Sequence, residues 1–130
     1  MSSFEENSHR TIVLADDDRD LLQLVKMRLE ADGFNVAISV NAENISRIVV
    51  EQHADIILLD ISMDGISGEE VCRELKKHKK TSFIPVVLFS ANADIREVAA
   101  TCGADDYVAK PFSIEAIREK LMKLIPAFKA

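Results

Sequence analysis

Four short apolar runs, each ending in residues able to do chemistry, restrict this 130-residue chain more than any other feature. The central one lies in residues 55–65, DIILLDISMDG, where Ile56, Ile57, Leu58 and Leu59 lead straight into Asp60 and a loop carries Asp64 and Gly65. A continuous apolar run of this length between polar residues predicts a strand buried on both faces, not a helix turn. Ile12-Val13-Leu14-Ala15 ends in Asp16-Asp17-Asp18, Val86-Val87-Leu88-Phe89 in Ser90-Ala91, and Tyr107-Val108-Ala109 in Lys110-Pro111. Open α/β sheets place ligands just beyond the carboxyl ends of their strands. Three runs therefore deliver acids, a hydroxyl and an ammonium beside Asp60. The pattern predicts a site.

Composition narrows the function classes. A chain of this length suits one domain with a sizeable core. Its net charge of −6 and the lack of a Lys/Arg stripe interleaved with aromatics argue against a nucleic-acid grip. Part of the negative charge sits in the Asp16–Asp18 run, a candidate cation site. Cys72 and Cys102 belong to no CxxC or Cys/His cluster and are read as small buried hydrophobes in a reducing compartment. The N-terminus lacks a signal pattern, and no apolar run approaches the ~20 residues of a membrane span, so a cytoplasmic protein without membrane contact is expected.

In chain order, residues 1–10 read as a polar tail, 11–126 as the domain and 127–130 as a C-terminal tail. The first strand covers residues 11–15. Helix one is expected over about 20–32, with Leu21, Val25 and Leu29 on one face beside Leu22 and Leu24. Asp18 or Asp20 caps its start, and Gly33 suits a left-handed residue past its end. Residues 34–40 alternate and predict an edge strand. Asn41 caps helix two, whose inward face holds Ile45, Ile48 and Val49. Helix three is expected from Gly68 to about Lys79, with Val71 and Leu75 inward and a basic outer end. Strand four covers residues 83–89, entered through Pro85. A short helix over about 94–102 stops at Gly103, strand five covers 106–109, and Ser113 caps helix five, with Ile114, Ile117, Leu121 and Leu124 inward.

Five alternating strand–helix units predict a doubly wound α/β fold, a five-stranded parallel sheet with helices on both faces. No Gly-rich loop or GxGxxG follows the first strand, which largely excludes a nucleotide binder. Phosphate at this rim needs a metal or a lysine instead.

The acid pair in VLADD, the LLD of the central strand, the Gly65 and Gly68 loop, the FSA after strand four and GADDYVAKPF stand in a telling order. Over residues 11–125 the sequence resembles the receiver domain of two-component response regulators. The resemblance implies a flavodoxin-like fold with strand order 2-1-3-4-5. It implies that Asp60 is the phosphoacceptor and that Mg²⁺ is held by Asp17 and Asp60, by Asp16 through water, and by the Ser62 carbonyl. A hard dication with oxygen ligands suits three carboxylates that otherwise repel one another. Lys110 then supplies a point charge and Ser90 a hydrogen bond to phosphoryl oxygens. The family also implies a cis Lys110-Pro111 bond and a switch in which Ser90 moves toward the phosphoryl group and Tyr107 turns inward. That switch alters the face built from helix four, strand five and helix five. The implied partners are a sensor histidine kinase or histidine phosphotransfer protein, which donates the phosphoryl group, and a downstream effector protein. The chain itself is then a monomer or a weak phosphorylation-dependent dimer, with self-catalysed phosphorylation and dephosphorylation rather than enzymatic turnover.

Each residue has a plainer reading: an N-cap and charge run for Asp16–Asp18, a surface lysine for Lys110, a strand-end hydroxyl for Ser90, a core ring for Tyr107. Two departures from the family pattern stand out. Asp64 replaces a common proline, predicting a less rigid loop with an extra acid, and the span from Ser90 to Lys110 is short, predicting a short fourth helix. The rival class is a haloacid-dehalogenase-like Mg²⁺ phosphohydrolase, whose DxD Asp16-x-Asp18 superficially fits. Such enzymes want Thr or Val at position 20, which is Asp20, and a longer chain.

Overall fold

Alternation along each strand decides the architecture. In a computed structural model that describes residues 10–63, 65–91, 94–110 and 112–125, one parallel sheet carries two hydrophobic cores on its two faces. Its strands are β1 (Thr11–Ala15), β2 (Asn35–Ser39), β3 (Ile56–Asp60), β4 (Val86–Ser90) and β5 (Asp106–Ala109), in spatial order β2-β1-β3-β4-β5. The helices are α1 (Arg19–Ala31), α2 (Ile45–Glu51), α3 (Gly68–Lys77), α4 (Ile95–Cys102) and α5 (Ile114–Leu124). Val13, Ile57, Leu59, Val86 and Leu88 face α2, α3 and α4, while Ile12, Leu14, Ile56, Leu58, Val87 and Phe89 face α1 and α5. Each fully buried aliphatic contributes about 1.5–3 kcal/mol. Burial on both faces is why β1, β3 and β4 read as continuous apolar runs. The flavodoxin-like fold and strand order expected from the resemblance are those observed.

The local signals hold in most places. The Asp18 side chain accepts from Leu21 N–H and the Ser113 side chain from Ala116 N–H, caps that contribute about 1 kcal/mol each. Gly33 and Gly103 close α1 and α4 at φ of 99° and 84°, where a side chain is strained. Helix α4 has only eight residues, as its short span predicts. The expected tails, Arg10 apart, lie outside the described residues, as do Asp64 and Pro111.

Several expectations need correction. Leu24 is 52% exposed because α1 buries only the arc of Leu22, Val25 and Leu29. Strand β4 starts at Val86, not Phe83; Pro85 carries no N–H for the ladder, and Phe83 is 75% exposed. Asn41 caps a 3₁₀ turn (Ala42–Asn44) that leads into α2, not α2 itself. The loop after Asp60 contains a two-residue antiparallel hairpin, Ser62–Met63 with Ile66–Ser67.

At the sheet's N-terminal pole a clip joins three elements. Lys76 Nζ of α3 donates to Ile84 O at 2.9 Å and pairs with Asp105 Oδ2 at 2.7 Å. That carboxylate also accepts from Val86 N–H at 2.8 Å. Nearby, Cys72 Sγ donates to Cys102 O at 3.5 Å. Burial, with a hydrogen bond to Cys102, pushes the Cys72 thiol well above its ordinary range, so it packs as an unreactive hydrophobe.

Candidate functional site

Strand register assembles the site. Ala15 pairs with Leu59, so Asp16 follows at the level of Asp60; Asp60 pairs with Phe89, and Ser90 with Ala109, so Lys110 follows next. The strand order turns four distant sequence positions into neighbours on one rim, the carboxyl ends of the strands. Strand β1 is central enough to be flanked on both sides, which puts its acids beside Asp60 rather than at an edge.

The acids converge. Asp16 is 1% exposed and Asp60 6%, Asp17 is exposed, and one oxygen from each lies within 4.8 Å of the others. Lys110 Nζ reaches Asp16 Oδ2 at 3.2 Å and Asp60 Oδ1 at 3.8 Å. Three carboxylates against one ammonium leave two formal negative charges in a partly desolvated rim. A dication would neutralise them. The donor set is all oxygen, which suits Mg²⁺ over softer metals. Asp16 is held in place by two backbone contacts, its N–H donating to Ser39 O at 3.2 Å and its Oδ1 accepting from Asp18 N–H at 3.1 Å. Asp18 is committed to capping α1. That use removes the second acid of the haloacid-dehalogenase DxD, and the phosphohydrolase alternative has no support.

Ser90 ends β4 at 7% exposure, and its carbonyl accepts from Lys110 N–H at 2.8 Å. The hydroxyl-bearing residue and the ammonium-bearing one are thus joined through backbone. Tyr107, half-buried on β5, packs toward the α2–α4 core, with Lys120 Nζ of α5 5.9 Å from its ring centroid. Beside it the Asp106 carboxyl is held below its ordinary value: burial opposes this, and is outweighed by Tyr107 N–H, Lys120 and Lys123. Ser62 lies in the hairpin strand directly after β3, its backbone one residue beyond Ile61.

Sequence reasoning gave no role to three residues that shape the rim. Gly68 opens α3 so close to β3 that a Cβ there would sit 2.1 Å from Asp60 O and 2.7 Å from Ile61 Cα. Its N–H donates to Ile61 O. Phe89 supplies the floor under Lys110, whose Nζ is 5.2 Å from the ring centroid, and Phe112 meets Phe89 edge-to-face at 5.7 Å. Both rings stood in plain view inside FSA and KPF. Nothing in their spacing said that they would face a lysine.

Residues 12–122 match the response regulator receiver domain family, and the chain belongs to it. It is a signalling domain of two-component systems. The Phosphate regulon transcriptional regulatory protein PhoB of Pseudomonas aeruginosa is 30% identical over 118 residues, which cover 89% of this chain and 52% of that protein. The chain thus spans about half the length of that curated relative. Among solved structures, response regulator protein TrrA from Thermotoga maritima in complex with Mg²⁺-BeF is 31% identical, with a TM-score of 0.79 over 88% of this chain and 98% of that one. The receiver domain of a sensor histidine kinase from Pseudomonas aeruginosa PAO1, with a magnesium ion coordinated in the active-site cleft, is 25% identical. Its TM-score is 0.81 over 89% of this chain and 97% of that one. No helix among the described residues is long and apolar enough to cross a membrane.

Proposed function

We propose that this domain, read as one receiver unit over residues 11–126, accepts a phosphoryl group on Asp60 and reports it through a protein surface. The observation that carries the reading is the meeting of Asp16, Asp17 and Asp60 within 4.8 Å with Lys110 Nζ 3.8 Å from Asp60. Asp60 is the nucleophile: its carboxylate ends a strand buried along its length and is fixed in direction by the sheet. Attack on phosphorus forms the Asp60 O–P bond as the P–N bond of a donor phosphohistidine breaks, and the nitrogen keeps the electron pair. Hydrolysis later returns the carboxylate. Lys110 and Ser90 hold the phosphoryl oxygens, Lys110 as a point charge and Ser90 as a hydrogen-bond donor. Asp17, Asp60 and the Ser62 carbonyl would hold Mg²⁺, with Asp16 acting through water, and the bound cation would supply charge to offset the acids and the incoming phosphoryl group.

The donor is a sensor histidine kinase or phosphotransfer protein and the reader an effector protein, with no direct nucleic-acid or membrane contact in either step. The solved relatives that carry Mg²⁺ and its beryllium fluoride support the cation and the phosphoryl site. The proposal takes the protein as cytoplasmic, a compartment that suits its two free, buried cysteines, and as a monomer or weak phosphorylation-dependent dimer. Incubation with acetyl phosphate and Mg²⁺ should add one phosphoryl group per chain by intact mass. Multiple turnover without a covalent adduct would identify a phosphohydrolase instead.

Mg²⁺ alone should raise the thermal midpoint, because it binds the folded cluster and not the unfolded chain. At about 100 times its dissociation constant the gain is about 2.7 kcal/mol. Asp17→Ala should remove most of it; an unchanged response in that variant would mean the acids do not form the cation site.

Ser90 and Tyr107 connect the chemistry to the surface. A phosphoryl group offers Ser90 a charge-assisted acceptor, stronger than a neutral one. Its inward movement should shift the following loop and open space for the Tyr107 ring, altering the α4–β5–α5 face. Beryllofluoride with Mg²⁺ should therefore change backbone resonances from Ala91 to about Ile117. Ser90→Ala should still be phosphorylated, more slowly, and show little of this remote change. Shifts confined to the neighbourhood of Asp60 in the parent would rule the switch out.

A further inference from the structure

The pole opposite the acidic rim carries a groove that the phosphoryl chemistry does not use. Its floor and walls are Val49 and Val50 of α2, Ala54 before β3, and Phe83 and Ile84 before β4, with Lys80 at the edge. Its volume is about 510 Å³, enough for one or two side chains of a bound segment. Phe83 is 75% exposed and Val50 39%, an aromatic and a branched aliphatic on the same groove, where few large hydrophobics among the described residues are exposed. Residues 76–80 read Lys-Lys-His-Lys-Lys in a protein of net charge −6. Lys76 is committed to its clip, but Lys77, Lys79 and Lys80 make no ion pair among the described residues. The groove's one acid, Asp55, accepts from Thr11 N–H at 2.7 Å, which fixes its carboxylate in place without removing its charge.

We propose that this groove docks an acidic polypeptide segment of a partner protein through one apolar or aromatic side chain. The apolar cavity takes the side chain and the lysine run takes flanking carboxylates. Charge complementarity selects the occupant: Lys80 lines the groove and continues a run with Lys77 and Lys79, three ammonium groups without ion pairs among the described residues, against the single carboxylate of Asp55 in the lining. A nucleic acid would want the basic groups along a stripe with stacking rings, and here one ring stands at the side of a concavity. A membrane surface calls for a protruding apolar face, not a recess. Because Ala54, Asp55, Phe83 and Ile84 precede β3 and β4 while Asp60 and Ser90 end them, docking here leaves the phosphoacceptor open. The site would let a partner hold the domain through many phosphorylation cycles.

A random 12-residue peptide library displayed on phage, selected against the full chain, tests this. The expected peptides carry a Phe, Leu, Ile or Trp flanked by Asp or Glu, shift the resonances of Val50, Ala54 and Phe83, and bind equally with and without beryllofluoride. Phe83→Ser and Lys80→Glu should each weaken them about tenfold or more, with the Lys80 effect fading at high salt. Both residues are exposed, and unchanged labelling by acetyl phosphate confirms that the variants fold. Failure to select peptides, peptides of other composition, or peptides bound equally by Phe83→Ser would overturn the proposal. So would equal binding to anionic phospholipid vesicles, self-association lost in Phe83→Ser, or shifts at Phe83 on deleting residues 1–9, which assign the groove to lipid, a second copy or this chain itself.

Discussion

Asp60→Asn should take up no phosphoryl group from acetyl phosphate under conditions that label the parent fully. An amide lacks the anionic oxygen that attacks phosphorus, yet it fills the same space at the end of β3. The substitution also removes one of three converging negative charges. Without Mg²⁺ the variant should therefore melt at or above the parent's temperature, and it should gain less when Mg²⁺ is added. Loss of labelling together with a lowered Mg²⁺-free midpoint would point to unfolding rather than to a missing nucleophile. Full labelling would move the phosphoacceptor elsewhere, and intact-mass mapping would find it.

The second large effect is expected at a residue that carries no chemistry. Gly68→Ala introduces a Cβ that, without movement, lies 2.1 Å from Asp60 O, a backbone atom that cannot swing aside. Either α3 retreats or the stretch from Asp60 to Ser62 shifts, and overpacking of this kind costs about 1–3 kcal/mol. The displaced segment contains both the proposed phosphoacceptor and the carbonyl proposed for the metal, so labelling should slow and Mg²⁺ affinity should fall as well. Gly65→Ala makes the informative control. Its φ of +76° strains any side chain, but a Cβ there meets no atom within 4 Å. That variant should lose stability while keeping its rate of labelling more closely. A Gly68→Ala protein with an unchanged urea midpoint and an unchanged rate would refute the close approach.

Legibility in the sequence followed how many constraints each segment satisfies at once. Strands β1, β3 and β4 were readable because burial on both faces forbids polar interruption, and because each ends abruptly in a charged or hydroxyl side chain. The site was readable for the same reason: Asp16, Asp60, Ser90 and Lys110 are the first polar residues at, or just past, the ends of those runs and of β5. What escaped was set by neighbours distant in sequence. The hairpin after Asp60 uses two-residue strands, too short for any periodicity. Phe83 looks like strand by its apolar character, but Pro85 delays the ladder to Val86 and Phe83 stays exposed, lining the groove. Leu24 fits a helical stripe on paper, yet the arc that α1 buries is narrower than its apolar content. The need for glycine at position 68 arises only once α3 is laid against β3.

With the Lys76 clip in place, α4 should act as a lever with its fulcrum at one end. The C-terminal end of α4 is tied to α3 by the bond from Cys72 to Cys102 O, and the Gly103–Asp105 turn is pinned to α3 and to the start of β4. The N-terminal end follows Ser90 by only a few residues. A push delivered at the rim should therefore swing α4 about its far end rather than slide it along the sheet. Displacement should be largest at Ile95 and fade toward Cys102, so an effector gripping the first turn would feel far more of the signal than one gripping the last. Beryllofluoride-induced shifts that decline along α4, and that even out in Lys76→Ala, would display this leverage; a uniform profile in the parent would show a helix that travels as a rigid rod.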